Sequence, residues 1–106
     1  MDRDMMRELF GEPIAVYTDE QALADGVLVD ISGLGVCFRG RPVNRMTGGL
    51  WAAIEPFVGE VAALDSILRA KLRYAGVQGG IWHVPPGLWL IENEVGGWTL
   101  MRPEDN

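Results

Sequence analysis

The chain has one cysteine, Cys37, and one histidine, His83, among 106 residues. A lone thiol closes no internal disulfide, and one Cys with one His does not complete a four-ligand zinc site, so stapled and Cys/His-zinc folds are excluded. A nucleophilic Cys–His pair needs the two to converge, and neither stands in a nucleophile motif. Long apolar runs are also missing: none approaches the ~18 residues of a membrane span. The opening MDRDMMRELF lacks the apolar stretch of a secretory signal. With the single thiol, this predicts a cytoplasmic protein. The glycine-rich GLGVCFRG at 33–40 lacks the third glycine of a dinucleotide-binding turn, and no Gly-Lys-Ser/Thr follows any glycine. No cofactor, metal or catalytic residue is expected.

A chain of 106 residues is one domain, able to bury roughly 65% of the surface it exposes unfolded, which is enough for one modest core. The net charge of −6 is unevenly spread. Residues 1–30 carry eight acids against Arg3 and Arg7. Residues 31–75 carry six bases against Glu55, Glu60 and Asp65. Residues 76–106 carry four acids against Arg102. An acidic first third opposed by a basic middle suits a polar protein partner better than a nucleic-acid backbone, which rewards net positive charge.

The most tightly specified stretch is YTDEQALADGVLVDIS at 17–32. Thr18 and Gln21 have the spacing of a capping box, Asp19 and Glu20 fall in the first turn, and Gly26 supplies a left-handed stop. A short helix over 19–25 follows, then a strand Val27–Ile31 interrupted by Asp30, which makes a specific bond or leans outward. Ile14–Tyr17 reads as a further extended piece. Val36–Phe38 is short and extended, and Pro42 opens a helical turn. Thr47 caps a helix over 48–55 whose first turn Gly48 and Gly49 weaken. Pro56 ends or kinks it. The strongest helix is 60–75, where Val61, Leu64, Ile67 or Leu68, and Leu72 recur at helical steps and Asp65 pairs with Arg69. Beyond residue 80, IWHV, LWLIENE and WTLMR read as a three-stranded antiparallel meander. The tail 103–106 is expected to be loose. The fold class is α+β, a small antiparallel meander packed against a few short helices in a single domain.

Candidate contact residues follow from charge and ring content. Asp19, Glu20 and Asp25 sit on the first capped helix. Phe38, Arg39, Arg41 and Arg45 give the aromatic-plus-basic texture of single-strand binders. Trp51, Trp82, Trp89 and Trp98 exceed what so small a core readily hides, and Trp beside Arg is the composition of an interface hot spot.

ELFGEPIAVYTDEQALADGVLVDIS, RPVNRMTGGLW and the closing WTLMRPED together resemble a family of small proteins without assigned activity, carried by phages, plasmids and bacterial genomes. Its members share an LFGE start, a YTxxQAxxDGVLVD segment, a PVxxT…W middle and a PED-type end. The chain departs in the middle, where three residues separate Val43 from Thr47. The resemblance implies a mobile-element context and a soluble cytoplasmic protein, and it carries no catalytic residue.

Two functions are expected from these features. The first is a non-enzymatic binding protein that docks stoichiometrically on a host protein or ribonucleoprotein complex, with inhibition of a CRISPR-type nuclease complex as the concrete case. The second is a small single-stranded nucleic-acid binder using the 38–45 segment. An open meander edge allows a monomer or a homodimer.

Overall fold

The computed structural model describes residues 17–105. Of the extended piece expected at 14–17, only Tyr17 falls among them. Helix α1 (Asp19–Ala24) begins as its sequence predicts: Thr18 Oγ1 accepts from the Gln21 N–H at 3.1 Å, and Gln21 Oε1 accepts from the Thr18 N–H at 3.0 Å. Strand β1 (Leu28–Asp30) follows.

Strands β2 (Cys37–Phe38) and β3 (Arg41–Thr47) form a hairpin closed by Arg39 and Gly40, both at positive φ, 51° and 80°. That is the backbone of a type I′ turn. The helical turn expected at Pro42 is therefore incorrect, because Pro42 lies within β3, opposite Cys37. The strand carries a bulge between Val43 and Arg45. It adds one residue to the strand, so Val43 and Met46, three apart, both reach the core. In sequence, a three-residue apolar step imitates a helix.

Helix α2 (Gly48–Val58) starts at Thr47, whose Oγ1 accepts from the Leu50 N–H at 3.3 Å, and it runs two residues past Pro56. Gly48 is required by close approach to backbone, and Gly49 makes room for an ion pair. A Cβ on Gly48 would run into the Gly26 carbonyl, and one on Gly49 into the Arg102 guanidinium and the Asp105 carboxylate. A 3₁₀ turn at Val61–Ala63 leads into α3 (Leu64–Leu72), so the expected helix 60–75 is shorter than its pattern. Leu64, Leu68 and Leu72 are its buried stripe.

The meander has four strands, not three: β4 (Gly76–Gln78), β5 (Ile81–Val84), β6 (Leu88–Glu92) and β7 (Trp98–Met101). The sheet runs β1-β3-β7-β6-β5-β4, with β2 paired to β3 beside this path. Every pairing is antiparallel except β3 with β7. The architecture is α+β. Alternation along the strands puts Met46, Leu100, Leu90 and Val84 on the face covered by α2 and α3. Arg45, Thr99 and Trp89 belong to the opposite face, where α1 reaches Arg45.

The tail expected to be loose is pinned through residue 105. Pro103–Asp105 form a 3₁₀ turn, and Asp105 Oδ2 accepts from Thr47 Oγ1 at 2.7 Å. Arg102 Nη2 donates to Asp105 Oδ1 at 2.8 Å. One carboxylate thus ties the end of the sheet to the start of α2.

Candidate docking surface

The seven residues singled out in the sequence do not form two free, opposed charge sets. Arg45 donates Nε to Asp19 Oδ1 at 2.9 Å and Nη2 to Asp19 Oδ2 at 3.0 Å, and both side chains are only 12% exposed. Arg45 Nη1 also reaches Asp30 Oδ1 at 3.1 Å. The Arg45 guanidinium is accordingly held above its ordinary pKa, chiefly by the hydrogen bonds to Asp19. These two residues are spent on fastening α1 to the sheet, which corrects their reading as outward contacts.

The Asp30 carboxyl is lowered from its ordinary value, first by the Ser32 hydroxyl, which donates at 2.6 Å, and then by the Ser32 N–H. It is the acid that interrupts β1, and it makes the specific bonds expected of it. Glu20 and Asp25 are exposed. Asp25 Oδ2 accepts from the Tyr17 hydroxyl at 2.7 Å, and that bond raises the phenol above its ordinary value.

Phe38, Arg39 and Arg41 gather at the β2–β3 turn. Phe38 is half-buried and meets Trp82 and Trp98 edge-on, with ring centroids 5.1 and 5.6 Å away. Its carbonyl accepts from Trp98 Nε1 at 2.8 Å. The Arg39 guanidinium lies 4.9 Å from the centre of the Trp82 ring, while Arg41 pairs with Glu92 at 3.1 Å. The one aromatic ring of this turn, Phe38, serves packing, so its two arginines are what the turn presents outward. None of the four tryptophans is exposed: Trp98 is buried and the other three are half-buried.

Cys37 and His83 flank the Phe38–Trp82 contact in sequence. Neighbouring strand residues point to opposite faces, so thiol and imidazole both turn away from it. His83 packs against Trp89 at 6.1 Å. Among the described residues, no group of His, Cys, Asp and Glu gathers to hold a metal ion, and no helix is long and apolar enough to cross a membrane.

A different feature stands out, one that charge and composition did not reveal. A cavity of about 220 Å³ opens between α2 and α3 above the sheet. Ile54, Phe57 and Val58 of α2 form one wall, and Ile67 and Lys71 of α3 another. Met46, Leu88 and Leu100 contribute from the sheet. Every lining side chain is apolar except Lys71. A void of roughly 150 Å³ lined this way accepts a benzene ring, so this one has room for a single large apolar side chain. At its rim Phe57 is 89% exposed and Ile67 42%. Lys71 also lines a second, shallower hollow with Ala70, Tyr74, Pro85 and Pro86, and Tyr74 is 74% exposed. Phe57, Ile67 and Tyr74 are thus large apolar side chains left exposed beside the two recesses. The sequence signal was present in Phe57 and Tyr74, two of the aromatics outside the tryptophan and arginine set.

No family model, no curated protein and no solved structure matches this chain.

Proposed function

We propose that this protein is a non-enzymatic binding protein that docks stoichiometrically on a larger protein assembly, with the α2–α3 cavity and its rim as the anchor point. One observation carries the reading: Phe57, 89% exposed, stands at the mouth of an empty apolar cavity. Interface anchors are aromatic side chains and the pockets that receive them, and this surface offers one of each. The mobile-element context implied by the family resemblance supplies the class of partner. That partner is a host protein or ribonucleoprotein complex, concretely a CRISPR-type nuclease complex obstructed by the bound protein.

The test is affinity capture from host lysate after nuclease digestion, with a photo-crosslinking residue at position 57 and with Phe57→Ser alongside. A host protein crosslinked through position 57 and lost with Phe57→Ser is the expected result. Capture indifferent to Phe57→Ser, with no crosslink, overturns the reading.

The single-strand reading has one observation in its favour, the Arg39 guanidinium over Trp82, because a stacked guanidinium offers its outer face to a base. It ranks second because Phe38 and Trp98 have their rings committed to packing. A low-salt mobility shift abolished by Arg39→Ala with Arg41→Ala would promote it.

A further inference from the structure

Phe57 and Ile67 give the cavity its greasy rim, but Lys71 gives it a direction. This side chain lines both the deep cavity and the shallow Tyr74–Pro85–Pro86 hollow, so it stands between two apolar recesses. Of the cations on and just after α3, Arg69 is engaged by Asp65, whereas Lys71 and Arg73 make no ion pair with any described residue. Glu55 and Glu60 line neither recess. The strip therefore reads apolar, positive, apolar.

We infer that the occupant is a short amphipathic segment of a partner protein that carries an acidic side chain between two apolar anchors. One anchor, of Leu to Trp size, fills the deep cavity. The carboxylate meets Lys71, and the second anchor lies against Tyr74 and the two prolines. Two recesses side by side favour a segment of chain over a small apolar acid, which would leave the second one empty. A carboxylate set between desolvating anchors is better shielded from solvent than a rim charge, so it contributes to specificity as well as to encounter rate. The inference rests on the cavity being the docking site, and it adds the partner's chemistry.

The experiment is selection of short random peptides displayed on phage against the full chain, repeated on Phe57→Ser and Lys71→Glu. Near-ultraviolet circular dichroism of the tryptophans checks that each variant is folded. The expected outcome is peptides with Asp or Glu between two large apolar residues. They are lost on Phe57→Ser and replaced by peptides with Lys or Arg at the central position on Lys71→Glu. The affinity of an acid-bearing peptide should fall roughly tenfold with Lys71→Glu. Peptides that depend on Phe57 but show no acidic preference, or the same preference on Lys71→Glu, overturn the inference and leave the docking site standing. Peptides indifferent to both substitutions, or none selected at all, overturn the docking site as well. Concentration-dependent dimers crosslinked through position 57 would assign the strip to a second copy of the chain and overturn the partner assignment.

Discussion

Arg45 grips Asp19 at two points across the boundary between the sheet and α1, the shortest α-helix among the described residues. Isolated six-residue helices do not persist in water, so this ion pair and the buried Ala22 hold α1 in place. Removing the cation strands a shielded carboxylate. Arg45→Met is therefore expected to lower stability by about 3 kcal/mol. Asp19→Asn should cost less, because Asp30 still balances the guanidinium. Urea denaturation with the double variant measures the coupling, and single-variant effects that simply add would show that the pair does not anchor α1.

Asp105 sets an acid limit on stability. Its carboxyl is held at about 2, against an ordinary value of 3.8, first by the Arg102 guanidinium and then by the Thr47 hydroxyl. The folded value is the lower one, so the contribution is complete above the ordinary value and is lost as pH falls through it toward 2. Asp30, also lowered, adds a loss of the same sign. Asp105→Asn should cost about 1 to 2 kcal/mol at neutral pH and flatten the stability profile below pH 4, because this partly solvated pair keeps only part of its nominal worth. A thermal melting series from pH 2 to 7 checks it. An acid limb unchanged in the variant would place the titrating group elsewhere.

Arg39 occupies a left-handed position at φ 51°. A non-glycine residue there costs roughly 1 kcal/mol, which asparagine tolerates better. Its contact with Trp82 returns about 0.5 to 1 kcal/mol at an exposed site. Arg39→Asn should consequently leave the melting temperature nearly unchanged while altering Trp82 fluorescence. A large destabilisation would mean that the arginine carries more of the hairpin than this balance allows.

Phe57 and Leu68 line the same cavity and should respond in opposite ways. Phe57 is 89% exposed and Leu68 3%. Phe57→Ser is expected to change stability by less than about 0.5 kcal/mol and to weaken binding of an apolar dye. Leu68→Ala should cost about 2 to 5 kcal/mol by enlarging a void in the core. Equal losses in the two variants would mean that Phe57 is part of the fold and not of a docking rim.

Local chemistry was legible in the sequence, and long-range pairing was not. The Thr18–Gln21 box, the Thr47 cap and the α3 stripe depend on neighbours within a turn or two, and each formed as its residues dictate. β3 escaped because its bulge destroys the period of two, and the Gly48–Gly49 pair looked like weakness until the chain segments that crowd it were in view. Asp19 and Arg45 lie 26 positions apart. Nothing in either residue's local context says that it is meant for the other, so both looked like surface charges. The cavity is a property of helix spacing above a sheet, and no short sequence pattern reports that distance.

The parallel seam between β3 and β7 has a consequence for how the molecule comes into being. β7 is the last of the described strands along the chain, yet it sits inside the sheet, and among the described residues it alone joins the β1–β3 side to the β4–β6 side. During synthesis the two halves must wait, each with an unpaired backbone edge, until Trp98–Met101 leaves the ribosome and wedges between them. Closure of the sheet therefore waits on β7, and until it docks the strand edges on either side of its place are open to wrong partners.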